Sequence, residues 1–431
     1  MIITDLHFFK NKNILFLQGP VGPFFNRIGA QLRKVGARVF KINFNGGDWL
    51  FGGRDAINFR QHPRQWATFF EQQLLQHQIE AVILFGDCRP IHATARRIAL
   101  KHNIAVFVFE EGYVRPNFVT LERFGVNNHS LLPRDPDFYL QNVPVPQQHE
   151  QELGYSFHMV LLWGFLYYTT AITLQPFFRQ YRHHRPLQLS EGKVWLRSFG
   201  RKLYYRHKEK GVLAHLTGPL SKSFYLVPLQ VYNDSQILTH SNFKTVKAFI
   251  KYVAQSFAAH APSHTHLVFK HHPMDRGYHD YHQLISKLGK QLGIAGRLHY
   301  IHDQHLPSLL THAIGTIVVN STVGFSSLYH NTPVKTCGMA VYDIKGLTYQ
   351  GSLHTFWHEA PGFQINRRLF TRFRNYMILT TQLNGSFYKR FKTPHGRYHI
   401  SYNKNLPEGL KVHPSAIIEQ PCMLPPANTD P

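Results

Sequence analysis

The stretch Ile104-Ala105-Val106-Phe107-Val108-Phe109 is continuously apolar and stops at Glu110-Glu111-Gly112-Tyr113. A strand covered on both faces reads this way, whereas a half-exposed strand alternates. A parallel sheet with helices on both sides is therefore the first constraint on the fold. The carboxyl-terminal rim of such a sheet is where open α/β proteins hold their ligands. Two carboxylates there are candidate chemistry, and the glycine allows a sharp turn and a close approach. Taken alone, Glu-Glu-Gly also reads as a surface turn with two solvated carboxylates.

The preceding chain supplies companions. Asn13 to Leu17 reads as a strand ending at Gln18-Gly19-Pro20, Phe24 to Val35 as a helix, and Ala37 to Phe44 as a second strand before a loop, Asn45-Gly46-Gly47-Asp48. This order is a βαβ unit. Gly19 and Gly22 fall short of a dinucleotide fingerprint, and no P-loop lysine pattern is present. Pro63 to His77 is helical, Ala81 to Phe85 is a third strand ending at Gly86-Asp87-Cys88-Arg89-Pro90, and Ile91 to His102 is helical again. The strand ends after Leu17, Phe85 and Phe109 thus share one rim, with Gly19, Asp87, Arg89 and Arg115 as candidate residues beside Glu110 and Glu111.

Leu153 to Phe178 contains no Lys, Arg, Asp or Glu. Its length approaches the ~20 residues of a membrane span, but Gly164, several threonines and Pro176 weaken that reading. A buried core helix and an interfacial helix remain open. Trp163 and the following Arg179, Arg182 and Arg185 suit an anionic membrane surface, and the basic bias continues to Lys210.

A second α/β pattern follows. Predicted strands are Phe224 to Gln230, His266 to Lys270, Leu298 to Ile301, Thr316 to Val319 and Pro333 to Thr336, with helices over Phe243 to Ala258, Tyr281 to Leu292 and Leu306 to His312. Two Rossmann-like halves in one chain is the GT-B plan, α/β with two domains facing a central cleft where donor and acceptor meet. The expected divisions are 1–150, a connecting helical segment 151–215, a second domain 216–360, and helices with an irregular tail over 361–431. An Arg-rich helix within Phe363 to Phe391 could cross back to the first domain.

The strand ends of the second half carry Gln230, Lys270-His271-His272-Pro273 and Asn320-Ser321-Thr322-Val323-Gly324. Lys270 and His272 can donate to phosphate, Pro273 fixes the backbone, and Ser321, Thr322 and a helix N-terminus complete a cradle for an anion. His272 alone also reads as a structural histidine, and Asn320-Ser321-Thr322 alone as a helix cap. His271, His272 and His279 lack the cysteine or acid spacing of a zinc site, so no metal is expected.

Charge limits the partners. The 431-residue chain has 48 Lys plus Arg against 24 Asp plus Glu, a formal +24, so an anionic partner is implied. No RNA- or DNA-binding motif is present, which disfavours nucleic acid. Cys88, Cys337 and Cys422 form no disulfide framework, and no secretory signal precedes Phe9, so a cytoplasmic setting is expected.

An acid-acid-Gly motif followed by His-Pro and a Ser/Thr pair resembles the motif set of bacterial sialyltransferases and related CMP-sugar enzymes. Leu17-Gln18-Gly19-Pro20-Val21-Gly22-Pro23-Phe24-Phe25, Phe44-Asn45-Gly46-Gly47-Asp48, Gly86-Asp87-Cys88-Arg89-Pro90 and Glu110-Glu111-Gly112-Tyr113-Val114-Arg115-Pro116 are similar to capsule polysaccharide biosynthesis/export proteins of the KpsS/LipB type. The resemblance covers roughly residues 13 to 360. It implies a β-Kdo glycosyltransferase that moves Kdo from CMP-Kdo to a phosphatidylglycerol-type lipid, starting the linker for capsular polysaccharide on the inner membrane of Gram-negative bacteria. Residues 1–150 would then serve acceptor and catalysis, with Glu111 as nucleophile or base and Glu110 as its partner. Residues 216–360 would bind CMP-Kdo through Lys270, His272, Pro273, Asn320, Ser321 and Thr322. The resemblance implies no metal cofactor, a peripheral place on the membrane and other capsule assembly proteins as partners. A non-enzymatic export component and a transferase for another CMP sugar, such as sialic acid, are the competing readings.

Overall fold

The structure, a computed structural model, describes residues 6–53, 56–148, 150–154, 157–181, 191–233, 237, 241–393, 396–401 and 407–411. Arg182, Arg185, Asp234, Ser235 and the tail beyond residue 411 lie outside the described residues. The strands, in chain order, are β1 (Asn13–Phe16), β2 (Arg38–Asn43), β3 (Ala56–Asn58), β4 (Ala81–Phe85), β5 (Ala105–Glu111), β6 (Phe118–Arg123), β7 (Phe224–Pro228), β8 (His266–Lys270), β9 (Leu298–Ile301), β10 (Gly315–Val318), β11 (Val334–Thr336), β12 (Gln382–Gly385), β13 (Phe391–Thr393), β14 (Gly396–Tyr398) and β15 (Ile400–Ser401). The helices that matter below are α1 (Phe24–Lys34), α2 (Gly46–Leu50), α3 (Trp66–Gln76), α4 (Pro90–Lys101), α5 (Pro136–Gln141), α6 (Phe157–Thr173) and α7 (Glu191–Lys208).

The chain forms two units. One holds the described residues within 1–133, 142–188 and 374–431, and the other those within 134–141 and 189–373. This partition is discontinuous, unlike the contiguous division read from the sequence. The cause is local: β12 pairs antiparallel with β6, with Leu383 opposite Val119, and β15 pairs with β12. β12 and β15 therefore add two strands to the first sheet, and β13 and β14 pair with each other, where only helices and an irregular tail were expected. The Arg367–Thr381 helix carries the chain from one unit into the other.

The first sheet has the order β15-β12-β6-β5-β4-β1-β2-β3. Its β3-β2-β1-β4-β5 part is wholly parallel and has Rossmann order, with the switch point between β1 and β4. β5 explains its own apolar run. Phe107 and Phe109 enter one core with Phe16, Phe24, Phe25 and Phe387, while Val106 and Val108 enter another with Leu15, Trp66, Phe70 and Leu84. Alternation with apolar partners on both faces leaves no polar position. Each fully buried Phe or Val contributes roughly 1.5–3 kcal/mol.

The strand does not stop at the carboxylates. Glu110 pairs with Thr120 and Glu111 with Val119 across the antiparallel β5–β6 hairpin. No local pattern announces this hairpin, because β6 is FVTLER, a run with a charged end and no period that distinguishes it from a loop. Asn45 to Asp48 likewise differs from the expected loop: Asn45 caps α2, its side chain accepting from the Asp48 N–H.

The second unit holds the all-parallel sheet β11-β10-β7-β8-β9. Taken from β7, this is again the 3-2-1-4-5 order, with the switch point between β7 and β10. Tyr225 and Val227 enter one core, Phe224 and Leu226 the other. The fold is thus α/β with two Rossmann-like units.

Among the described residues no helix is long and apolar enough to cross a membrane. The inner face of α6, at Gly164, Tyr167 and Ala171, is buried. Its approach depends on Gly46 and Gly47: a Cβ at Gly46 would lie 2.3 Å from the Thr170 carbonyl oxygen, and one at Gly47 would lie 2.6 Å from the Tyr167 ring. Phe157, Leu161, Leu162 and Phe165 on α6 remain exposed.

Candidate active site

Strand alternation sends the two carboxylates to opposite faces. Glu110 continues the Val106–Val108 side, beside Gly86 and Arg89, and Glu111 continues the Phe107–Phe109 side. They are linked through the backbone, the Glu111 N–H donating to Glu110 Oε1 at 3.0 Å. Tyr388, beyond β12, donates its hydroxyl to Glu111 Oε1 at 3.4 Å, and Thr120 donates to the Glu111 carbonyl at 3.0 Å. Burial pushes the Glu110 carboxyl up to about 7 and the Glu111 charge adds to the rise, while the Glu111 N–H and the Arg89 guanidinium oppose it. Both groups are half-buried. A carboxyl that changes charge near neutrality is suited to passing a proton.

Gly112 serves packing. A Cβ there would sit 2.1 Å from the Phe118 carbonyl oxygen, so the glycine admits the returning strand, not the ligand expected from the sequence. Next to it, buried Tyr113 donates to Glu122 Oε1 at 2.7 Å and accepts from the Asn127 N–H at 2.7 Å.

At the switch point, the end of β1 carries Gln18, which is buried and fully engaged. Its amide nitrogen lies 3.1, 3.2 and 3.1 Å from Asp48 Oδ2 and the Tyr167 and Tyr181 hydroxyls, and its oxygen accepts from Arg89 at 3.0 Å. Asp48 Oδ1 accepts from the Tyr167 hydroxyl at 2.8 Å, and Asp48 Oδ2 from the Phe44 N–H. The network joins β1, α2, α4 and α6 and holds Arg89 toward Glu110. Gln18, Asp48, Tyr167 and Tyr181 were not among the candidate site residues. Their signal was indirect, in that Gln18 and Asp48 fall in two of the motifs quoted above.

Asp87 is turned away from that network. It is 1% exposed, and its Oδ2 lies 2.8 Å from His129 Nδ1 and accepts from the Val126 N–H at 3.3 Å. Burial would raise its carboxyl, but the hydrogen bond and charge of His129, with Arg96 and Cys88, hold it below the usual range. Asp87, Cys88 and His129 bring one ligand atom each within 4.8 Å of one another, the spacing of a metal site, and hydrogen bonds within the group already link them. The group braces the β4–α4 turn against the segment after β6.

The second sheet gathers its predicted residues along one rim. Gln230, after β7, donates to Asn320 Oδ1 at 3.0 Å across the switch point. Ser321 caps the Thr322–Tyr329 helix, accepting from the Val323 N–H at 3.2 Å. One strand over, Lys270 is buried and donates to the His302 carbonyl at 3.0 Å. Burial lowers its ammonium pKa, against the pull of Asp303 and Glu209. His272 Nδ1 accepts from the Met274 N–H at 3.2 Å, and Pro273 starts a short 3-10 turn. His271 is buried with Nδ1 2.7 Å from the Tyr300 hydroxyl, and burial, then the charges of His302 and His272, push it down to about 3. A neutral His271, a half-exposed His272 and a helix N-terminus at one parallel-sheet rim can bind an anion.

The remaining candidates are placed as follows. Gly19 gives room to Phe25, whose ring would be 2.7 Å from a Cβ. Arg115 is exposed and donates to the Gly112 carbonyl at 3.2 Å. Trp163 is not on the outer face of α6: its N–H donates to the Tyr388 carbonyl at 3.0 Å, and its ring lies against Gly22, Phe51 and Arg27. Arg179 is exposed.

Residues 80–388 match the family model described as capsule polysaccharide biosynthesis protein. The chain is 41% identical over 381 residues to the capsule polysaccharide export protein KpsS of Escherichia coli, covering 88% of this chain and 97% of that one. It is 39% identical over 397 residues to the capsule polysaccharide modification protein LipB of Neisseria meningitidis serogroup B, covering 89% and 93%. Among solved structures, KpsC of Thermosulfurimonas dismutans, a beta Kdo 2,7 transferase, aligns over 90% of this chain and 96% of that chain, at 14% identity and a TM-score of 0.45, too distant a likeness to carry an argument. On the family match and the two relatives, the chain belongs to the capsule polysaccharide biosynthesis family.

Proposed function

We propose that this protein is a glycosyltransferase that moves Kdo from CMP-Kdo to a phosphatidylglycerol-type lipid, beginning the β-Kdo linker of capsular polysaccharide. What carries the reading is the Glu110–Glu111 pair at the rim of the first sheet, with Glu110 near neutrality and Arg89 fixed beside it. Family membership supports the capsular context, and Kdo itself rests on the motif resemblance. In this reading Lys270, His272, Pro273, Asn320, Ser321 and Thr322 form the donor site, with Gln230 beside them.

A β-linked donor giving a β-linked product requires net retention. Glu111 attacks the anomeric carbon as the bond to the CMP phosphate oxygen breaks, and CMP leaves with the electron pair. The acceptor hydroxyl then attacks the same carbon, its proton is lost to water, and the glycosyl–Glu111 bond breaks, with Glu110 as the partner that orients Glu111. The CMP phosphate is a good leaving group, so the reading invokes no metal. Membrane association is peripheral in this reading.

The test is Glu111→Gln. Transfer should fall by at least about 10³-fold while CMP binding stays within about twofold of wild type. Full transfer by the variant would remove Glu111 from the chemistry.

A further inference from the structure

Helix α7 is amphipathic in an unusual sense, because its apolar stripe faces outward. Its inner face is held by polar contacts within its own unit. Arg201 donates to the Arg276 and His279 carbonyls at 2.8 and 3.2 Å. Tyr205 donates to Asp280 at 3.1 Å and stacks on His302, with centroids 3.4 Å apart. Just past the helix, Glu209 lies 2.6 Å from His302 Nδ1 and accepts from the His302 N–H at 3.0 Å. Val194 and Ser198 lie against Gly277.

The opposite face is Trp195, Leu196, Phe199, Leu203 and Tyr204. All five are exposed, Leu196 by 75% and Phe199 by 63%. Residues 196, 199 and 203 follow the i, i+3, i+7 spacing of one helical stripe. At 100° per residue, Arg206 and Lys202 flank that stripe on one side and Lys193 on the other, with Arg197 and Lys208 further round the helix, and all five are exposed. Between Gly192 and Lys208 the helix has no acidic residue. An apolar stripe bordered by cations complements an anionic bilayer, with the apolar side chains at the acyl boundary and the charges at headgroup phosphates. The exposed face of α6 lacks such cations, since no charged residue occurs from Leu153 to Phe178.

We infer that the outward face of α7 is the surface by which the protein rests on an anionic phospholipid bilayer. The inference rests on the reading that the acceptor is a membrane lipid, and it adds which element docks. The inner face of the same helix grips the segment after β8, which carries His272 and Pro273, so docking would present that rim at the membrane.

The experiment is flotation of the full chain with phosphatidylglycerol-containing vesicles and with phosphatidylcholine vesicles. Wild type should float with the first and be released by salt. The triple variant Leu196→Ser, Phe199→Ser, Leu203→Ser should bind at least about 30-fold more weakly. Because those side chains are exposed, its melting temperature should stay at the wild-type value. Arg197→Gln, Lys202→Gln and Arg206→Gln should each lose about fivefold. Wild type that does not float, or a triple variant that floats equally, would overturn the inference. So would a wild-type dimer that the triple substitution splits without changing flotation, since a second copy would then cover the face. Transfer to a short-chain soluble acceptor is read separately. A protein that floats through α7 and transfers nothing keeps the docking face and loses the transferase reading, and the reverse holds for one that transfers without floating.

Discussion

Replacing Glu110 with glutamine should make the protein more stable at pH 8 and leave it little changed at pH 4. The carboxyl is raised from 4.5 in the unfolded chain to about 7 in the fold, chiefly by burial. Between these values the folded state binds more protons than the unfolded state, so stability falls as pH rises through the window and levels off above it. The interval is about 2.5 units, and each unit is worth 1.36 kcal/mol, which gives about 3.4 kcal/mol. Water reaching a half-buried carboxyl screens part of this, so about 2–3 kcal/mol is expected. Glutamine can still accept the Glu111 N–H, so the hydrogen bond of 3.0 Å need not be lost. The assay is urea denaturation of wild type and variant at several pH values. The difference between them cancels the other titrating groups, including the 30 histidines. A difference that does not change between pH 4 and pH 8 would refute the buried-carboxyl argument. Glu111→Gln should shift the Glu110 transition to lower pH, because one of the causes of the rise is removed.

Other perturbations reach the rest of the site. Gly47→Ala should destabilise by about 1–3 kcal/mol in denaturant titration, because its Cβ would meet the Tyr167 ring at 2.6 Å. Tyr167→Phe should cost about 1–2 kcal/mol by the same measurement, since its hydroxyl joins buried Asp48, Gln18 and Asn45. His272→Ala should weaken CMP binding by about tenfold in calorimetry, and an unchanged affinity would exclude a phosphate contact.

The parallel strands were legible because each is an apolar run with two covered faces. Ala81 to Phe85 and Phe224 to Pro228 feed alternate residues into separate cores, so no other pattern fits them. The rim residues were legible as the first polar residues after such runs. The antiparallel additions β6, β12 and β15 were not, since Gln382-Leu383-Asn384-Gly385 has no strand period and gains its identity from pairing with β6 and β15. Nor was the Gln18–Tyr167 contact, which spans 149 residues and depends on two glycines that read as a loop. For α6, apolar on every side, the sequence could not choose the inward face. The face is set by where Gly46 and Gly47 leave room.

Kdo transfer to lipid is read by mass spectrometry of a phosphatidylglycerol-type acceptor. The acceptor is incubated with purified protein and freshly prepared CMP-Kdo. A lipid product heavier by one Kdo is expected, formed by wild type and not by Glu111→Gln. An unmodified acceptor, with the donor intact and the protein folded, would contradict it.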